Sequence, residues 1–200
     1  TVAVMVSDIA NPWFGRMASL IEQNLHRRGY SLIVCNSGEQ AELEREYLRL
    51  LPQKGIDGLI VVPITTDREK LCHHLPPGLA LVVLDRPVEG VPASVSTDQQ
   101  QAATLLCREL ERIGARRVAL VRGPEHVSTH RMRGEAVKRH FDVLVDHVGP
   151  AQLETGHVAW SEIARTSPDA IVCTNNFLGQ GLMEAMAQSN SRLPIGCFDE

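Results

Sequence analysis

One unit recurs along the 200 residues: a short run of β-branched and apolar side chains, a polar turn, then an apolar stripe at helical spacing. Candidate strands fall at residues 2–6, 31–35, 58–62, 79–84, 118–121, 143–145, 170–173 and 195–198, nearly all apolar without alternation. A strand with one face in water alternates, whereas a strand covered on both faces reads as a continuous apolar run. The pattern predicts an α/β fold of doubly wound parallel sheets sandwiched between helices.

Helix signals fill the gaps. Asn11 followed by Pro12 is a cap plus a proline at the first helical position; Phe14, Met17, Ala18, Ile21 and Leu25 share a face, and Gly29 supplies the stop. Leu43, Tyr47, Leu50 and Leu51 mark a second helix ending between Pro52 and Gly55. Ala102, Leu106, Leu110 and Ile113 mark another closed by Gly114, and Leu178, Leu182, Ala185 and Met186 mark the last.

In open parallel sheets, ligands sit at the carboxyl ends of strands. Here those turns read Ser7 through Phe14, Asp85-Arg86-Pro87, Thr97-Asp98, Ser128 through Arg131, Thr174-Asn175-Asn176 and Asp199-Glu200. Carboxylates accept hydrogen bonds from hydroxyls, arginine donates in a fixed fork and asparagine does both, a set suited to a small polyhydroxylated molecule. Trp13 and Phe14 offer apolar faces to a sugar ring. Each residue also has a structural reading: Asn11 and Asp98 as helix caps, Asp85 and Arg86 as a surface ion pair, Trp13 and Phe14 as core.

Composition excludes several classes. A formal net charge of −4 gives no basic surface for nucleic acid. Five cysteines, an odd and widely spaced set, fit reduced thiols and a cytoplasmic setting. No apolar run approaches a membrane span, and no secretion signal opens the sequence at Thr1. Catalytic signatures are missing too: no G-x-G-x-x-G after the first strand, no Walker lysine loop and no G-x-S-x-G elbow. Gly179 and Gly181 sit in a helical stripe, where packing explains them. His126 and His130 have zinc-like spacing but lack a third ligand nearby, which reads as solvent-facing loop. Neither cofactor nor metal is expected, nor is the protein expected to be an enzyme, although Asp85 and Asp199 are types that serve glycoside hydrolysis.

The strings SDIANPWF, EREYLRLLPQKGIDGLIVVP, VVLDRPVEGVPASVSTD, RELERIGARRVALVRGP, CTNNFLGQGLMEAM and GCFDE resemble, in order and spacing, the effector-binding domain of lactose-repressor-type (LacI/GalR) regulators. The resemblance covers essentially the whole chain. It implies a fold of the type I periplasmic-binding-protein kind, with two lobes and a ligand cleft between them, and a homodimeric repressor whose sugar effector controls operator binding allosterically. Carried over, it makes Asn11, Trp13 and Phe14 one wall of the ligand site, with Asp85, Arg86 and Asp98 from the first lobe and Arg131, Asn175 and Asp199 from the second. The set is similar to that of ribose-type binders, pointing to a pentose or small hexose. Arg133, next to Arg131, competes for the arginine role.

The sequence also departs from the family. Asn176 replaces a customary Asp, and the aromatic after the sixth strand gives way to Val158, with Trp160 close by. The expected lobes are 1–115, lacking its closing segments, and 116–200, without a DNA-binding headpiece. The alternative is a periplasmic sugar-binding protein of a transporter.

Overall fold

The computed structural model describes residues 1–199; Glu200, part of the last polar turn above, lies outside them. The elements run β1 (Val2–Val6), α1 (Pro12–His26), β2 (Leu32–Asn36), α2 (Ala41–Gln53), β3 (Gly58–Val61), α3 (Arg68–Cys72), β4 (Ala80–Leu84), β5 (Ser94–Val95), α4 (Gln99–Arg112), β6 (Arg117–Arg122), α5 (Ser128–His140), β7 (Asp142–Val148), α6 (Leu153–Ile163), β8 (Ala170–Cys173), α7 (Asn176–Gln188) and β9 (Ile195–Cys197). They form two compact units, Thr1–Thr97 and the chain from Asp98 on. Each holds one sheet: β2-β1-β3-β4-β5 in the first and β7-β6-β8-β9 in the second. All the pairings are parallel.

The first strand of each unit shows why the apolar runs do not alternate. Ala3 and Met5 pack into one cluster with Leu48, Leu59 and Leu71, while Val4 and Val6 pack into another with Phe14, Ala18 and Val62. In β6, Val118 and Leu120 face one core while Ala119 and Val121 face the other. Successive side chains point to opposite faces, and helices cover both, so residues 3–6 and 118–121 are buried without a break. Fully burying one such valine or leucine contributes about 1.5–3 kcal/mol.

The unit boundary differs from the expected division at Arg116. Ala103, Cys107 and Leu110 of α4 pack with Val118, Leu120, Val137 and Phe198, so α4 belongs to the second unit. Its buried face is Ala103-Cys107-Leu110, one residue round from the expected stripe, and Ile113 stands half exposed. In α2 the buried face is Glu44-Leu48-Leu51, with Leu50 only partly covered. The helices α5 and α6 were not anticipated: the first is rich in basic residues and the second carries little apolar periodicity.

Close packing of α6 on α7 explains the glycines there. A Cβ on Gly181 would stand 1.9 Å from the Leu153 carbonyl oxygen, and one on Gly156 would stand 2.3 Å from that of Leu178. Both lie far inside van der Waals contact, so the helices cross backbone to backbone at these positions. Trp160 packs toward this core and Val158 is half exposed.

Candidate ligand-binding site

In the first unit, the carboxyl ends of β1, β3 and β4 meet the turn after β2 around one buried guanidinium. Arg86 follows β4 and is only 5% exposed. Its Nη1 donates to Glu39 Oε2 at 2.9 Å and to the Pro63 carbonyl at 3.4 Å, and its Nη2 donates to Glu39 Oε1 at 2.5 Å and Ser7 Oγ at 3.4 Å. The pair that the sequence proposed as a surface ion pair is therefore buried: the Asp85 carboxylate stands 3.8 Å from Arg86 Nε, with its side chain 10% exposed. Burial alone would lower the Arg86 pKa, but the carboxylates of Glu39, Asp85 and Glu44 outweigh it and hold the value above its ordinary level.

Glu44 reaches the same region from α2. Its carboxylate accepts the main-chain N–H of Ile64 at 2.6 Å and of Thr65 at 3.3 Å, tying down the turn after β3. Burial raises its pKa, although those N–H groups and the Arg86 charge pull the other way. Asn11 caps α1, its Oδ1 accepting from Trp13 N–H at 3.0 Å. Phe14 is core, and Trp13 stands edge-on to it at 4.9 Å between ring centroids.

In the second unit the buried cation comes from a helix. Arg133 of α5 donates through Nε to Gln99 Oε1 and through Nη1 to the Thr174 carbonyl, both at 2.7 Å. Its two terminal nitrogens reach the two carboxylate oxygens of Asp199 at 3.3 and 3.2 Å, and the guanidinium lies 4.5 Å over the Phe198 ring. Arg131 points elsewhere, pairing with Glu135 along the outer face of α5, its side chain 42% exposed. The structure thus brings Arg133, and not Arg131, to Asp199. The helical period contains this answer: Ala136 and Val137 are buried, and three to four residues back is Arg133.

Asn175 caps α7, accepting from Leu178 N–H at 3.0 Å, and Asp98 caps α4, accepting from Gln101 N–H at 2.9 Å. Asp98 stands in the second unit, not with the first-unit residues to which the resemblance assigned it. His130 is buried rather than solvent-facing, its Nδ1 2.7 Å from Thr174 Oγ1, which also accepts the Gly123 N–H at 3.1 Å. His126 is exposed. Sequence reasoning placed Ser7 and Thr174 in polar strand-end turns without giving them a role, and passed over Glu39, Glu44 and Gln99; of these three only Glu44, at helical spacing from Leu48 and Leu51, carried a readable signal.

Asp85 and Asp199 correspond. Each follows the fourth strand in the order of its sheet, β4 and β9, each takes a positive φ (65° and 67°), and each lies beside a buried arginine. The left-handed conformation is one that Asp tolerates better than most residues, and it turns the carboxylate away from the line of the strand. All five cysteines are free thiols, with Cys35, Cys107 and Cys173 buried. Among the described residues no helix is long and apolar enough to cross a membrane.

Two doubly wound parallel sheets in tandem, with carboxylates and arginines at their strand ends, place the chain in the type I periplasmic-binding-protein class of folds. Residues 1–195 match the family described as periplasmic binding proteins and sugar binding domain of LacI family, and the chain belongs to that family. It is 35% identical over 200 residues to the ribose operon repressor of Bacillus subtilis, covering 96% of this chain and 60% of that protein. The ribose operon repressor of Halalkalibacterium halodurans is 29% identical over 205 residues, 96% of this chain and 59% of the relative. The chain thus spans about 60% of the length of these curated relatives. Among solved structures, a LacI family regulator from Enterococcus faecium with bound ribose superposes with a TM-score of 0.84 at 25% identity, over 96% of this chain and 73% of that one. The Cra regulator of Pseudomonas putida, in complex with fructose 1-phosphate, superposes with a TM-score of 0.89 at 23% identity, over 100% of this chain and 78% of that one.

Proposed function

We propose that this chain is the effector-sensing part of a cytoplasmic, non-catalytic transcriptional repressor, and that its effector is a sugar, a pentose before a hexose. The observation that carries the reading is the matched placement of Asp85 and Asp199, each at a strand end, in left-handed backbone and beside a buried arginine. Two rigidly held carboxylates accept from sugar hydroxyls, and buried arginines fix the orientation of those carboxylates. Asp85 in the first unit, and Asp199 with Arg133 in the second, are the groups that each unit offers to a sugar. Trp13 supplies a partly exposed ring, and Asn11, Asn175, Asp98, Phe14 and Arg86 hold the surrounding turns. The likeness to two ribose operon repressors points to a pentose.

Effector binding acts as a regulatory input by favouring one of two arrangements of a homodimer, shifting their populations by no more than its differential affinity for them. Operator reading resides outside the residues described, since this chain carries a net negative charge. The free, buried thiols favour a repressor over a transport protein of an oxidising compartment.

A thermal-shift screen against pentoses, hexoses, their phosphates and nucleobases tests the proposal. A ligand at a hundred times its Kd stabilises the folded state by about 2.7 kcal/mol, enough to move the midpoint by several degrees. The expected result is a shift with one sugar that Asp199→Ala and Arg133→Ala abolish. No shift with any sugar, or a shift untouched by either substitution, overturns it.

A further inference from the structure

The terminal nitrogens of both buried arginines of the described residues are already engaged by this chain's own acceptors. In the first unit, Arg86 directs its two terminal nitrogens at both oxygens of Glu39, while its buried Nε stands 3.8 Å from the Asp85 carboxylate and makes no hydrogen bond among the described residues. Glu44 adds a third carboxylate acting on the same cation. One positive charge thus stands against three negative ones. In the second unit, Arg133 spends its donors on Gln99, the Thr174 carbonyl and Asp199, leaving one cation to one anion.

We infer that the effector is uncharged, and that Glu39 enforces this by occupying Arg86. The inference rests on the sugar-sensor reading and narrows it. A phosphate or carboxylate on the ligand would need either to displace a carboxylate from the terminal nitrogens of a buried arginine or to approach Arg86 Nε past Asp85, and in the first unit it would do so beside further negative groups. Like charges at a few ångströms repel, most strongly where the protein excludes water. A neutral hydroxyl meets no such penalty: it donates to Asp85 or Asp199 without disturbing either arginine. Glu39 is set for the role by local geometry. It takes a left-handed φ of 56° in the turn after β2, and its main-chain N–H donates to the Ser7 carbonyl at 3.1 Å, which holds it against the end of β1. Glu39 is a specificity residue by this argument, acting through Arg86 and not by touching the ligand.

Calorimetric titration of the chain with D-ribose, D-xylose and D-fructose, each beside its phosphate monoester, tests the inference in wild type and Glu39→Gln. The expected result in wild type is a sugar bound at least tenfold more tightly than its phosphate. Raising the salt from low to high ionic strength narrows that ratio, because the exclusion is electrostatic. Glu39→Gln, which removes the charge and keeps the shape, narrows it at least threefold. A phosphate bound as tightly as its sugar in wild type overturns the uncharged-effector inference while leaving the sensor reading intact. A ratio that ignores both salt and Glu39→Gln removes the role of Glu39. Binding of no sugar in either form defeats the sensor reading and this inference together. Salt dependence in wild type remains decisive if the variant fails to fold.

Discussion

Arg86 and Arg133 occupy corresponding places in the two units and are built into them in opposite ways. Arg86 lies in the turn after a strand, and its partners are gathered from up to 79 residues away, with a carboxylate excess around it. Arg133 reaches down from α5 to a single carboxylate whose side chain is 21% exposed. A buried charge surrounded by opposite charges is costly to remove, because its partners are stranded; one whose partner can reach water is less so. The first unit uses its arginine chiefly to hold its own turns, and the second leaves its carboxylate in reach of water, which is what the proposed role of Asp199 requires.

Replacing each arginine with methionine measures that difference. Arg86→Met is expected to destabilise the first unit by about 3 kcal/mol, since Glu39, Asp85 and Glu44 then share no cation. Arg133→Met is expected to cost the second unit about 1.5 kcal/mol, the loss of hydrogen bonds with Asp199 free to hydrate. The two tryptophans divide between the units, Trp13 in the first and Trp160 in the second, so urea unfolding followed by fluorescence in single-tryptophan backgrounds assigns each loss. Equal losses would break the comparison.

A subtler contrast is the buried carboxylate. Glu44 is 2% exposed, whereas among the described residues the buried polar set of the second unit includes no Asp or Glu. Because burial raises the Glu44 pKa, the folded state holds this proton more tightly than the unfolded chain does. Stability from this group is therefore greatest below the ordinary glutamate value and declines as pH rises through the raised folded value. In Glu44→Gln that decline is absent, so stability relative to wild type should climb across the window, in the Trp13 signal alone. The smallest effect expected is from Arg131→Ala, under about 0.5 kcal/mol and without change in sugar affinity, as for an exposed helical ion pair. A large loss of affinity there would reinstate Arg131 as the second unit's ligand arginine.

The strands and the doubly wound class were legible because burial on both faces leaves its mark in every residue, as Ala3 to Val6 and Val118 to Val121 show. The capping roles of Asn11 and Asp98 were legible because a cap is a local event. Which arginine of α5 lies beside Asp199 stays open between Arg131 and Arg133 in the sequence, since the basic composition of α5 hides its apolar stripe; the two lie on opposite sides of the same helix, and it is Arg133 that reaches Asp199. Glu39 left no trace at all. Its partner is 47 residues away, and the turn that presents it has no periodicity to read. Boundary placement failed for a related reason: nothing within α4 tells which sheet it will cover, and only its contacts with β6 and β9 do.

The glycine crossing of α6 and α7 has a mechanical consequence. With Gly156 and Gly181 pressing main chain on main chain, neither helix can creep along the other by small increments, since any offset drives a carbonyl into a facing residue. That side of the second unit therefore behaves as a stiff plate. The ligand contact proposed at Asp199 would be expressed as a displacement of the whole plate, or not at all, and amide hydrogen exchange along α6 and α7 should be slow and uniform with and without sugar.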